Sequence, residues 1–158
     1  MIKKRSRHNG AFSLLELVIV VAIIAIIAAI GIPRMSRGTR GAGDSALSGN
    51  LAVLRNAIDL YKVEHGSYPG ADTFADQVTK YTDGTGTTSS DTQTTTCYFG
   101  PYIRKIPSLP VGAKKGNTGI ADKDGTDVGW LYNATTGEIK ANCTDSEKDD
   151  SGKQYNEY

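Results

Sequence analysis

At 158 residues with a formal net charge of +1, the chain has room for one small globular domain and lacks the basic excess that marks nucleic-acid binding. Its apolar content, 39%, is concentrated near the N-terminus, and the rest of the chain is rich in Gly, Thr and Asp. That remainder predicts a loop-rich domain with a modest core.

Lys3, Lys4, Arg5 and Arg7 open the chain with no acid among them, and an apolar run of Val, Ile, Ala and Gly then continues to Ile32. About 20 such residues suffice to span a bilayer core as a helix. Arg34, Arg37 and Arg40 come after it, so the flanking basic residues decide little about orientation. Glu16 is the anomaly, because an acid inside an apolar helix costs roughly 2.5 to 3.5 kcal/mol at the centre and less near the interface. A cleaved signal peptide needs a shorter apolar core than this one, and Pro33 argues against a cut there. A plain membrane anchor explains the length but leaves Glu16 without a purpose.

A basic leader, the phrase Ala11-Phe12-Ser13-Leu14-Leu15-Glu16, and a β-branched helix ending at Gly31-Ile32-Pro33 together resemble the class III signal of type IV pilins and type II secretion pseudopilins. The resemblance implies that a prepilin peptidase cuts before an aromatic residue and methylates the new amine, with Glu and Pro at fixed distances from it. Counted from Phe12, Glu16 is the fifth residue and Pro33 the twenty-second, so both landmarks agree on a cut between Ala11 and Phe12. The family usually carries Gly before the cut; here Ala11 stands there, and a cut after Gly10 is the alternative. Methylation is expected on Phe12. In a stack of parallel helices, Glu16 of one subunit meets the Phe12 amine of the next, an ion pair that gains strength where water is scarce. Desolvation offsets much of that gain, so axial register rather than net stability is what the pair specifies.

The resemblance implies an α+β, pilin-like fold with a long N-terminal helix packed on a small antiparallel sheet. The expected division is a leader at 1–11, a transmembrane assembly helix at 12–33, the amphipathic second half of that helix at 34–66, a head at 67–143 and a polar tail at 144–158. Leu47, Leu51, Leu54, Ile58 and Tyr61 form one apolar stripe that packs on the head. Pro33 predicts a kink, and Gly38, Gly41 and Gly43 weaken the helix by up to about 1 kcal/mol each. His65-Gly66-Ser67-Tyr68-Pro69 ends it, with Gly66 suited to a left-handed cap.

Residues 74–81 predict a short helix with Phe74, Val78 and Tyr81 on one face. From 82 to 96 the chain is Thr, Ser, Gly and Asp with one Gln and no apolar anchors, which predicts an exposed, mobile loop, with a surface-displayed or O-glycosylated segment as the alternative. The phrases Pro101-Tyr102-Ile103 and Lys105-Ile106-Pro107 resemble those of major pseudopilins. Residues 128–133 and 137–142 predict a hairpin around Ala134-Thr135-Thr136, with Trp130 in the core. The tail is polar and acidic, and predicts disorder or loose docking.

Cys97 and Cys143 in an exported head predict a disulfide worth roughly 4 kcal/mol by chain entropy, or else two separately buried thiols. No metal site is expected from them. Asp122, Asp124 and Asp127 flank Gly125 in a pattern that resembles part of a calcium loop, and secretion pseudopilins often carry calcium in a C-terminal loop. A plain Asp-Gly turn is the simpler alternative. Asn133-Ala134-Thr135 and Asn142-Cys143-Thr144 match the glycosylation sequon. No catalytic motif is present in the sequence, so a structural rather than an enzymatic subunit is expected, with no resident cofactor.

The family resemblance leads most directly to the major pseudopilin of type II secretion, with a type IV pilin for adhesion, motility or DNA uptake as the close alternative. A membrane-anchored binding module that never polymerises is the alternative of another class. Expected partners are copies of itself, a prepilin peptidase, an inner-membrane assembly platform with its ATPase, and minor pilins or pseudopilins. The expected location is the inner membrane, single-pass with the N-terminus cytoplasmic, then a periplasmic pseudopilus or an extracellular pilus.

Overall fold

Helix α1 spans Leu14–His65, 52 residues, without a break at Pro33, Gly38, Gly41 or Gly43. The computed structural model describes residues 13–158, and the side chains of residues 30–40 lie outside that description. The expected cleavage pair Ala11 and Phe12 lies outside it as well. Two compact units result, Met1–Thr39 and Arg40–Tyr158.

In the first unit, α1 starts as Ser13 contributes its carbonyl to the Leu17 amide at 3.1 Å. Among the described residues no helix is long and apolar enough to cross a membrane. The described apolar side chains, residues 13–29, are only part of the 12–33 span expected from sequence.

In the second unit, the periodic stripe is the inner face of α1: Leu47, Leu51, Leu54, Ile58 and Tyr61 are all at most 1% exposed. The four aliphatic members, Leu47, Leu51, Leu54 and Ile58, join Phe74, Val78, Leu109, Trp130, Tyr132 and Ile139 in one core. The helix stops where the sequence says it should, since Gly66 takes φ +76° and its amide closes on the Lys62 carbonyl at 2.8 Å. Helix α2, Phe74–Thr79, comes next and buries Phe74 and Val78.

Strands β1 (Tyr81–Thr82) and β2 (Ser89–Ser90) pair antiparallel in a two-residue ladder. The core sheet comprises β3 (Gly119–Ala121), β4 (Val128–Tyr132) and β5 (Ile139–Ala141) in the order β3-β4-β5. The hairpin β4–β5 forms as expected, with Trp130 opposite Ala141 and Tyr132 opposite Ile139. Its turn is set by Asn133, whose Oδ1 accepts from the Thr135 and Thr136 amides at 2.9 and 3.2 Å.

The architecture is α+β, but the sheet is mixed rather than antiparallel, because β3 runs parallel to β4. Parallel neighbours ordinarily need a crossover of about a dozen residues. Here residues 122–127 alone make the return, with a register shift between Gly119 and Ile120. Glycine makes this possible: a Cβ on Gly119 would sit 2.5 Å from the Asp127 carbonyl, and one on Gly129 would strike the Asn117 carbonyl.

One indole and one phenol tie the sheet to the chain around it. Trp130 Nε1 donates to the Pro107 carbonyl at 2.8 Å, and the buried Tyr132 hydroxyl donates to the Pro69 carbonyl at 3.0 Å.

Of the two expectations for the tail, disorder and loose docking, the structure shows docking. Lys148 and Gln154 form an antiparallel bridge, and a 3-10 turn at Tyr155–Glu157 lays Tyr155 down at 9% exposure. Arg55 on α1 donates to the Tyr158 carbonyl at 2.7 Å and to the Ile139 carbonyl at 3.3 Å, joining helix, sheet and tail. Asp149 gathers the Ser151 and Lys153 amides at 2.8 and 2.9 Å and also accepts the Tyr158 hydroxyl. Acids that composition marks as disorder-promoting are here the acceptors that close the turn.

Candidate assembly surface

Glu16 lies in the first turn of α1 and is exposed, where the helix dipole favours a negative charge by about 0.3 to 1 kcal/mol. It is the single polar side chain among residues 14–29. Around it Leu14 is 80% exposed, Leu15 67% and Leu17 57%, and Ile26 and Ile27 are as open. A helix apolar on every side is one that another apolar medium or another helix covers. Pro33 lies within α1, with its side chain outside the described residues.

The second half of α1 has two faces. Opposite the buried stripe runs a second one, Ala46, Gly49, Val53, Asn56, Leu60 and Val63, every member exposed. Its spacings of three and four repeat those of a helix-pairing seam. Val63 alone is 81% exposed.

The end of α1 holds a cluster that the sequence did not single out. His65 stacks on Tyr61 at 3.9 Å between ring centres, and its Nε2 lies 3.0 Å from both Thr82 Oγ1 and the Asp83 carbonyl. Tyr102 donates to Glu64 at 2.5 Å; burial, then that carboxylate, raise its hydroxyl far above the ordinary phenol value. A signal was available in Tyr61 and His65, four residues apart beside the Gly66 exit, yet the partners of His65 come from 17, 18 and 37 residues downstream.

That cluster organises the Thr-rich segment, which therefore has anchors after all. Thr82 is fully buried, and its carbonyl accepts from Tyr98 at 3.0 Å. Asp83 Oδ1 takes the Thr85 and Thr87 amides, each at 3.1 Å, and hydrogen bonds led by the Thr85 side chain pull its carboxyl down to about 2. Gly86, at φ +70°, packs against the Tyr61 hydroxyl, and its carbonyl accepts from the buried Gln77 at 2.8 Å. The remaining Thr and Ser side chains are largely exposed.

The expected Cys97–Cys143 disulfide is not formed: both cysteines are free. Cys97 is 2% exposed with Sγ 3.8 Å from the Thr88 carbonyl, while Cys143 packs beside Gly112 and Glu147. Burial, aided by the Glu147 charge, pushes the Cys143 thiol up to about 11, so little thiolate is present at neutral pH. Even cysteine count and compartment favoured a pair; the fold gives each sulfur its own pocket.

The three aspartates of the calcium-like loop do not converge. Asp124 pairs with Lys114 and accepts from Asn142 at 3.0 Å, and the Lys114 ammonium leads in lowering its carboxyl. Asp122 lies 3.9 Å from Lys123 instead. Among the described residues no group of three or more His, Cys, Asp or Glu could hold a metal ion. Of the two sequon asparagines, Asn142 is 5% exposed and donates to the Val128 carbonyl at 2.7 Å, so the folded chain does not present it.

Comparison with known proteins places one segment. No curated protein and no solved structure matches the chain. Residues 6–32 match the family model described as the prokaryotic N-terminal methylation motif. The matched stretch contains Ala11, Phe12 and Glu16 and covers the start of the apolar helix. A motif of this kind implies a membrane-anchored precursor, processing by prepilin peptidase and assembly as a polymer. The match covers 27 of the 158 residues and concerns the N-terminal segment alone, which carries the signal for methylation.

Proposed function

We propose that this chain is the structural subunit of a type IV pilus-like filament, cut between Ala11 and Phe12, N-methylated on Phe12 and polymerised through α1. One observation carries the reading: the methylation motif over residues 6–32 runs into helix α1, whose residues 14–29 are apolar except at Glu16. Cleavage creates an amine on Phe12 inside the membrane, and an unpaired ammonium there is as costly as an unpaired carboxylate. Glu16 of an adjacent subunit neutralises it, and each added subunit brings both halves of the next pair. Pro33 marks the end of the apolar assembly segment, within a helix that continues to His65. An assembly platform in the inner membrane, driven by its ATPase, supplies the work.

Within that class we assign the chain to the major pseudopilin of a type II secretion system, with minor pseudopilins as further partners. The short head and the Gly66-Ser67-Tyr68-Pro69 and Pro101-Tyr102-Ile103 phrases favour this over an adhesive or motility pilin. Intact-mass measurement of the filament subunit tests the foundation. A mature chain starting at a methylated Phe12 supports it, a start at Ala11 moves the register by one, and an uncut Met1 in the assembled form refutes it. Sheared fibres abundant at native expression would assign a pilin in place of a pseudopilin.

A further inference from the structure

We propose that Asn133 is a site of N-linked glycosylation on the head, its carboxamide nitrogen taking an oligosaccharide from a polyprenyl-diphosphate donor. The proposal rests on export of the head and not on polymerisation. Two sequons occur in the described chain, Asn133-Ala134-Thr135 and Asn142-Cys143-Thr144. As sequence they are equivalent. The fold makes them opposites.

Asn133 opens the turn between β4 and β5 and is exposed, as are Thr135 and Thr136. Its amide donates to the Glu138 carbonyl at 2.9 Å and its carbonyl accepts from Gly137 at 2.8 Å, so the loop is pinned at its base. The side chain is held as well. Only the oxygen of a carboxamide accepts from backbone N–H groups, so the bonds from the Thr135 and Thr136 amides turn Oδ1 into the loop and leave Nδ2 on the other side of the group. Among the described residues no hydrogen bond occupies that Nδ2 or the Thr135 hydroxyl. Asn142 has the contrary surroundings: it is 5% exposed, and its Nδ2 donates to the Val128 carbonyl at 2.7 Å and to Asp124 at 3.0 Å. Both protons of that nitrogen are engaged, and a bond to sugar would leave one acceptor without its donor.

Space for the first sugars is present beside Asn133. A groove of about 250 Å3 is lined by Asn133, Asp122, Glu138 and Lys140, with Leu131 among its walls. A second, of about 420 Å3, shares Asn133 and Asp122 and adds Ala71 and Ala134. A pyranose presents apolar C–H faces and a rim of hydroxyls, and each groove sets an apolar side chain beside polar groups that fix orientation. In the transfer, Nδ2 attacks the anomeric carbon of the first sugar. The new C–N bond forms as the bond from that carbon to the diphosphate oxygen breaks; polyprenyl diphosphate leaves with the electron pair, and the amide proton passes to a base of the transferase. The head supplies the acceptor and the grooves alone.

The test is peptide-resolved mass spectrometry of the full-length chain isolated from the cells that naturally produce it. Lys140 lies between the two sequons, so cleavage after lysine puts them on different peptides. The expected result is an added saccharide mass on the Asn133 peptide, none on the Asn142 peptide, and its loss with Asn133→Gln. That variant also disturbs the turn, so Thr135→Ala is the second arm: it keeps Asn133 and both amide bonds, yet the addition is lost, whereas Thr135→Ser retains it. An unmodified Asn133 in the native chain, sugar on Asn142, or an addition that survives Thr135→Ala overturns the proposal. The N-terminal peptide of the same sample reports on processing separately. Bare Asn133 on a chain starting at methylated Phe12 overturns glycosylation alone, and a glycosylated Asn133 on an assembled chain with uncut Met1 refutes the polymer reading alone.

Discussion

Replacing Tyr132 by Phe removes one atom from the junction between the sheet and the helix exit. The ring stays, packed edge-on against Phe74 at 4.7 Å between centres and 67° between planes. What goes is the 3.0 Å bond to the Pro69 carbonyl, between residues that are both buried. A net hydrogen bond is worth about 1 kcal/mol, and a buried acceptor left without a donor brings the loss to roughly 1 to 3 kcal/mol. For a head of this size that is a fall in Tm of about 4 °C or more. Tyr132→Leu discards the ring contact as well and should cost roughly 3 kcal/mol or more in total. The measurement is thermal unfolding of the full chain in detergent, followed by near-ultraviolet circular dichroism. A Tm for Tyr132→Phe within about 1 °C of the parent, well below the shift expected for a lost buried bond, would mean that the hydroxyl is not holding Pro69, and the account of the junction would fall.

Two further outcomes rest on the same geometry. Asp83 is held at about 2 by its hydrogen bonds to the Thr85 side chain and the neighbouring amides, below its unfolded value near 4, so its contribution is present above about pH 4 and is lost as pH falls toward 2. Amide exchange at Thr85 and Thr87, after correction for intrinsic pH effects, should therefore accelerate in acid, and Asp83→Ala should show the accelerated rate at neutral pH; equal protection in parent and variant would contradict the turn. Thiol labelling of denatured chain without reductant should modify both Cys97 and Cys143, slowly in the native state because of burial, whereas two unlabelled cysteines would restore the disulfide.

What the sequence made legible was periodic or terminal. The stripe from Leu47 to Tyr61 needs no more than a count of spacings, and Gly66 before Pro69 declares its own stop. The hairpin around residues 134–136 was visible in the same way, through β-branched and aromatic residues beside a polar turn. Parallel pairing of β3 was hidden because its determinant is a missing atom: Gly119 and Gly129 act by letting two backbones approach, and nothing in composition distinguishes them from turn glycines. The anchors of the tail and of the Thr-rich segment were hidden for a related reason. Asp149 and Asp83 raise polarity, which composition reads as disorder, yet each spends its carboxylate on two or more amides within four residues. The cysteine pairing failed because compartment and parity say nothing of where two sulfurs lie. Of the candidate site, Glu16 was evident as a charge in an apolar run. The outer seam of α1 became visible only when exposure showed which of two interleaved patterns faced away from the core.

Trp130 has a consequence for how the molecule is observed. It is the chain's one tryptophan, fully buried, with its indole nitrogen committed to the Pro107 carbonyl. Intrinsic tryptophan emission from this protein is therefore a signal from the head's interior alone, and residues 14–29, which contain no aromatic side chain, contribute none. Insertion into lipid, extraction and polymerisation can each be followed against that fixed interior lamp, and a red shift would announce loss of the core rather than a change in what surrounds the helix.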